Sequence, residues 1–138
     1  MIRLVGGIPI PSGFHAMNKF NEAFDELHRK RKWFHVFPEG CNWPYFQPIR
    51  PFKRGAFTFS QRYNMPIIPM AFTYRKPTGL FALYKGKYPL ITLNIGEPIF
   101  PDITLPRKES IMRLREQTHK KIVELAGIKN NPFPSEGD

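Results

Sequence analysis

The side chains of this 138-residue chain that can do chemistry gather mainly in its first half. Phe37-Pro38-Glu39-Gly40 offers a carboxylate acceptor beside a glycine that lets a ligand come close to the backbone. Pro51-Phe52-Lys53-Arg54-Gly55 sets two cations before an expected helix start, where free backbone N–H groups and the helix dipole favour phosphate. Lysine supplies a point charge there and arginine a planar fork. Cys41 follows the glycine, and a loop thiol near cations can serve as a nucleophile. No histidine is placed beside it by the sequence, so a small inert residue is the plainer reading.

A general base is harder to find. None of the four histidines heads a His-x-x-x-x-Asp motif: five places after His15, His28 and His35 stand Phe20, Trp33 and Gly40. His119 does have a carboxylate, Glu124, five places on. Five residues turn a helix through about 500°, leaving the second side chain about 140° off the first, so the two diverge. All four histidines read as structural residues.

These groups need elements to hold them. Residues 3–10 read as a short buried strand ending at Pro9, with Ser12 as an N-cap. Met17, Phe20, Phe24 and Leu27 then make one apolar stripe of a helix over 14–31 that closes on Arg29-Lys30-Arg31-Lys32. Trp33 to Phe37 is apolar on both faces apart from His35, which suits a strand of a mostly parallel sheet and completes a βαβ unit. Residues 41–52 form a proline- and aromatic-rich loop in which Trp43, Tyr45 and Phe46 could line an acyl- or membrane-facing wall. Gly55 to Tyr63 is a short helix burying Phe57 and Phe59, Ile67 to Tyr74 a strand, residues 78–87 an exposed β region, and Leu90 to Ile95 a strand. Ile111, Leu114, Thr118, Ile122 and Leu125 give a second amphipathic helix over 107–126, capped at Gly127. The fold class is α/β, a mixed and largely parallel sheet flanked by helices. Residues 1–129 form the domain and 130–138 a flexible tail.

Composition limits the function classes. An apolar share of 41% is too high for a disordered chain, and the length holds one domain at most. Twenty-one Lys and Arg against 11 Asp and Glu give a net charge of +10, a field that attracts anionic membranes, phosphorylated small molecules or nucleic acid. Most aromatics fall in stripes or buried runs, so nucleic-acid binding ranks last. The single cysteine excludes an internal disulfide framework. No apolar run reaches the roughly 20 residues that span a bilayer, and no signal peptide opens the chain.

Taken in order, Gly6-Gly7-Ile8-Pro9-Ile10, Phe37-Pro38-Glu39-Gly40, Phe52-Lys53-Arg54-Gly55-Ala56 and Pro66-Ile67-Ile68-Pro69 resemble the motif blocks of the glycerolipid acyltransferases, the family that includes 1-acylglycerol-3-phosphate acyltransferase. The resemblance spans roughly residues 3–75, with a looser fit through Gly96-Glu97-Pro98-Ile99. It implies acyl transfer from acyl-CoA or acyl-carrier protein to a lysophospholipid acceptor. The donor is a substrate, so no cofactor or metal is implied. It also implies an acceptor site at Glu39 and Gly40, with Lys53 and Arg54 as further substrate-binding candidates, and a cytoplasmic position peripheral to an anionic membrane. Two departures matter. Cys41-Asn42 stands where the family continues with Thr-Arg, and Pro11-Ser12 stands where the second block often ends in Arg. The family's His-x-x-x-x-Asp base is absent, so the chain reads as the carboxyl-terminal part of such a domain, inactive by itself, or as a non-catalytic lipid-surface or acceptor-binding module.

Overall fold

The structure, a computed structural model, describes residues 14–40, 45–85 and 88–135. It divides into two compact units, Met1–His35 and Val36–Asp138, taken separately below.

In the first unit, α1 (Phe14–Lys30) follows the expected stripe. Phe24 is buried, with ring centroids 6.1 Å from Phe20 and 4.7 Å from Phe34. His28, Arg29 and Lys30 occupy the last turn, where cations meet the negative end of the dipole. The strand expected over 33–37 does not form. Trp33 is 76% exposed and Phe37 58%. An apolar run becomes a strand only when another strand pairs with it, and among the described residues the sheet holds β1 and β2 alone. The partner strand expected over 3–10 lies outside the described residues, as do Ser12, Cys41 and Trp43.

The second unit contains α2 (Gly55–Tyr63), β1 (Met70–Arg75), α3 (Leu80–Lys85), β2 (Leu90–Ile95) and α4 (Arg107–Leu125). This is an α/β arrangement whose sheet, among the described residues, is a two-stranded antiparallel ribbon rather than the mixed, largely parallel sheet expected. Its register pairs Met70 with Ile95, Phe72 with Leu93 and Tyr74 with Ile91 on one face, and Ala71 with Asn94 on the other. The ribbon continues as a bridge between Ile67 and Ile99. Residues 80–85, expected to be β, form a single helical turn and a half, with Leu80 and Leu83 in solvent. Six residues are too few for helical periodicity to show in the sequence.

The core holds Ile49, Phe52, Phe57, Ala71, Leu114 and Ala126. Phe52 and Phe57 stack at 6.1 Å, joining the loop before α2 to the helix itself, and α2 packs on α4. Phe59, expected in the core, is only partly covered and stacks on Tyr63 instead. The α2 chain stops at Asn64, whose left-handed backbone (φ 49°) caps the helix, while the Ser60 hydroxyl donates to Met65 O at 2.5 Å. Helix α4 buries Leu114 and Thr118 from the expected stripe and, beside them, Ser110, Arg115 and His119. The Thr118 hydroxyl donates to Leu114 O at 2.7 Å. Gly127 follows with φ 69°, a conformation glycine reaches without Cβ strain. One ribbon face turns to α4: Ala71 is buried and Asn94 Nδ2 donates to Leu125 O at 3.1 Å. The other face leaves Met70, Phe72, Ile91, Leu93 and Ile95 exposed.

Within the stretch expected as a flexible tail, residues 131–135 are hydrogen-bonded to the loop before α2. Asn131 accepts from Ile49 N at 3.0 Å and donates to Ile49 O at 2.7 Å and Phe133 O at 3.0 Å. Phe52 N donates to Ser135 O at 3.2 Å. Among the described residues no helix is long and apolar enough to cross a membrane.

Candidate functional site

The Phe37–Gly40 segment is a tight turn. Gly40 N donates to Phe37 O at 3.1 Å, closing the turn, and the chain leaves it through Gly40 at a positive φ of 76° that glycine adopts without Cβ strain. A second backbone bond, Lys53 N to Pro38 O at 2.8 Å, fastens this turn to the loop before α2. Gly40 and Lys53 therefore meet: a Cβ added at Gly40 would lie 2.9 Å from Lys53 Cε.

Glu39 is held from the same loop. Its Oε2 accepts from Arg50 Nε at 3.1 Å and from Arg50 N at 3.3 Å. The pair is largely covered, with 28% of the Glu39 side chain and 14% of the Arg50 side chain exposed. Arg50, missed as a Glu39 partner in the sequence, fixes the carboxylate's orientation and neutralises it. Glu39, Gly40 and Lys53 are thus brought together with Arg50 between residues that backbone bonds already tie. Arg54 lines a different surface, a groove shared with Thr58 of α2 and Arg107, Lys108, Ile111 and Met112 of α4.

A second residue missed in the sequence comes from α4. His119 is buried, edge-on to the Phe52 ring at 4.8 Å. Burial lowers its pKa below the ordinary 6.5, while the Ile49 and Arg50 carbonyls and the Glu39 carboxylate pull the other way. Its Nε2 is covered and has no hydrogen-bond partner. Glu124, five places on, pairs instead with Lys121 at 3.0 Å, as the helical geometry requires. No signal along α4 could have found His119, because its neighbours belong to the 39–52 segment. Of the loop aromatics, Tyr45 is half exposed and edge-on to Tyr74 at 5.4 Å, and Phe46 lies 6.4 Å from Phe133.

Chemically, this is a rigid turn presenting a neutralised carboxylate, an approachable glycine backbone and a lysine ammonium. It can orient a polar ligand by hydrogen bonds and charge. It does not supply an exposed imidazole with a carboxylate partner.

Comparison with known proteins gives the turn a context. The acyltransferase family profile, described as "Acyltransferase", matches residues 1–73. A 1-acyl-sn-glycerol-3-phosphate acyltransferase of Bacillus subtilis (strain 168) is 37% identical over 93 residues, which cover 65% of this chain and 43% of that protein. The chain thus spans less than half the length of the curated relative it matches. No solved structure matches significantly. The matched residues include the Glu39-Gly40 turn and the Lys53 loop that fastens it, and on that match the chain belongs to the glycerolipid acyltransferase family.

Proposed function

We propose that this chain carries the acceptor side of an acyltransferase that moves an acyl group from acyl-CoA or acyl-carrier protein to a lysophospholipid resembling 1-acylglycerol-3-phosphate, in phospholipid synthesis. The observation that carries the reading is the match over residues 1–73 falling on a turn whose parts are mutually fastened. In this reading Glu39 accepts a hydrogen bond from an acceptor hydroxyl, the Gly40 backbone allows close approach, and Lys53 contributes positive charge, with Arg54 at the margin. The acceptor hydroxyl oxygen attacks the thioester carbonyl carbon. The C–S bond breaks, the thiol leaves, and the hydroxyl proton passes through a general base to the thiolate. The sequence has no His-x-x-x-x-Asp to supply that base, and His119, packed near Glu39, has its Nε2 covered.

The same reading treats these residues as part of a larger acyltransferase domain with a larger sheet, peripheral to an anionic membrane. The exposed apolar face of the β1–β2 ribbon supports it, since sheet faces of that composition are ordinarily covered. A second reading, a non-catalytic lipid-surface or acceptor-binding module, draws on the net charge of +10 and the missing base. The test is thiol release from acyl-CoA on addition of 1-acylglycerol-3-phosphate, by the full translation product of the gene. Acceptor-dependent release that Glu39→Gln reduces supports the first reading. No release with any lysolipid acceptor, together with salt-sensitive binding to anionic vesicles, moves the second to first place.

A further inference from the structure

The loop before α2 bonds to two segments far apart in sequence, and its backbone donors divide evenly between them. Ile49 N donates to Asn131 Oδ1 at 3.0 Å and Phe52 N to Ser135 O at 3.2 Å. Arg50 N donates to Glu39 Oε2 at 3.3 Å and Lys53 N to Pro38 O at 2.8 Å. Pro51 has no N–H to place. Every backbone N–H of residues 49–53 is thus paired, alternately with residues 131–135 and with the acceptor turn.

The hold of residues 131–135 is specific. Asn131 meets both backbone groups of Ile49, since its Nδ2 also donates to Ile49 O at 2.7 Å. One side-chain amide imitates the paired bonds of an antiparallel ladder. The same Nδ2 donates to Phe133 O at 3.0 Å and so fixes the path of its own segment. Pro132 and Pro134 restrict φ and bias Asn131 and Phe133 toward extended backbone, so the segment has less freedom to lose on docking. The Phe133 ring lies 6.4 Å from Phe46.

The two sets of bonds act in series. Ile49 and Phe52, held by residues 131–135, have their side chains in the core. Arg50 follows Ile49 and also donates Nε to Glu39 Oε2 at 3.1 Å, while Lys53 follows Phe52. A shift of Ile49 or Phe52 therefore moves the donors that orient Glu39 and fasten the turn ending at Gly40. We propose that residues 131–135 are a latch that sets the acceptor turn, with Asn131 a positioning residue acting on Glu39 through Ile49 and Arg50. The latch lies beyond residues 1–73, which match the family profile. What the turn binds rests on the acceptor-site reading, but the latch itself is tested without a ligand.

The variants are Asn131→Ala and Phe133→Ala in the 138-residue chain, with Asn130→Ala, an exposed neighbour, as control. Phe133→Ala leaves both Asn131 bonds to Ile49 in place, so the test survives if Asn131→Ala does not fold. All measurements are made well below the lowest melting temperature, where lost stability alone leaves the folded state unchanged. The first readout is the nuclear magnetic resonance signals of the Gly40 and Lys53 amides and the Arg50 Nε–H. Both latch variants should shift and broaden them, and the control should not. A perturbation that stops at Ile49 and Phe52 overturns the proposal. The second readout is equilibrium binding of a soluble short-chain 1-acylglycerol-3-phosphate. Asn131→Ala should weaken it roughly five- to tenfold, and the control by less than about twofold. Binding that both latch variants leave unchanged also overturns the proposal. If the unaltered chain binds no such ligand while the first readout is as expected, the acceptor-site reading falls and the latch stands.

Discussion

Replacing Gly40 with alanine perturbs the site at its most constrained point. Two costs can be read from the structure. The first is conformational: at φ 76° an L-residue brings Cβ against its own backbone, at about 1–2 kcal/mol. The second is steric: the new Cβ would sit 2.9 Å from Lys53 Cε, 3.1 Å from Cδ and 3.4 Å from Nζ. Lys53 is exposed and its far end is flexible, so it yields for at most about 0.5 kcal/mol. The conformational cost should win. A total near 1.5 kcal/mol corresponds to a fall of about 6–12 °C in melting temperature for a unit of this size. The assay is thermal unfolding of Gly40→Ala, Gly40→Asn, Lys53→Ala and the Gly40→Ala/Lys53→Ala double variant. Gly40→Asn should cost less than alanine, because asparagine tolerates the left-handed region. Lys53→Ala should recover only a small part of the alanine effect. A Gly40→Ala protein that melts within about 1 °C of wild type, or one fully rescued by Lys53→Ala, would refute the assignment of the cost to the turn.

Other outcomes follow from the same contacts. Asn131→Ala removes three partly buried hydrogen bonds to Ile49 and Phe133 and should destabilise by about 1–3 kcal/mol in chemical denaturation. His119 has a depressed pKa, so the unfolded chain takes up its proton first as pH falls. Its contribution is therefore full above pH 6.5 and is lost as pH drops through the folded value; His119→Gln should flatten stability across that window, as followed by urea titrations at stepped pH. The exposed apolar ribbon face should make the chain self-associate in sedimentation velocity, and Phe72→Ser/Leu93→Thr should reduce that association with little thermal cost, since both side chains are already close to half in solvent.

What the sequence revealed was mostly local. The stripes of α1 and α4, the start of α2 at Gly55, the alternation of Leu90–Ile95 and the cap at Gly127 are short-range signals, and each element formed where its signal lay. Trp33–Phe37 failed because apolar composition reports a tendency to be buried but names no partner strand. Residues 80–85 failed because a run of six cannot display helical periodicity. At the site, Glu39, Gly40 and Lys53 were visible through motif order. The pairing of Arg50 with Glu39 and the burial of His119 were not, because the first arises when the 37–40 turn docks on the 50–53 loop and the second when α4 closes on Phe52. A histidine judged along its own helix has no local feature that announces a neighbour across the fold.

The most direct test of the central claim is equilibrium binding of a soluble short-chain 1-acylglycerol-3-phosphate to the 138-residue chain, with thiol release from acyl-CoA followed in the same samples. The account predicts saturable binding that Glu39→Gln weakens roughly tenfold, with no release above background. Binding indifferent to Glu39, or turnover by this chain on its own, would contradict it.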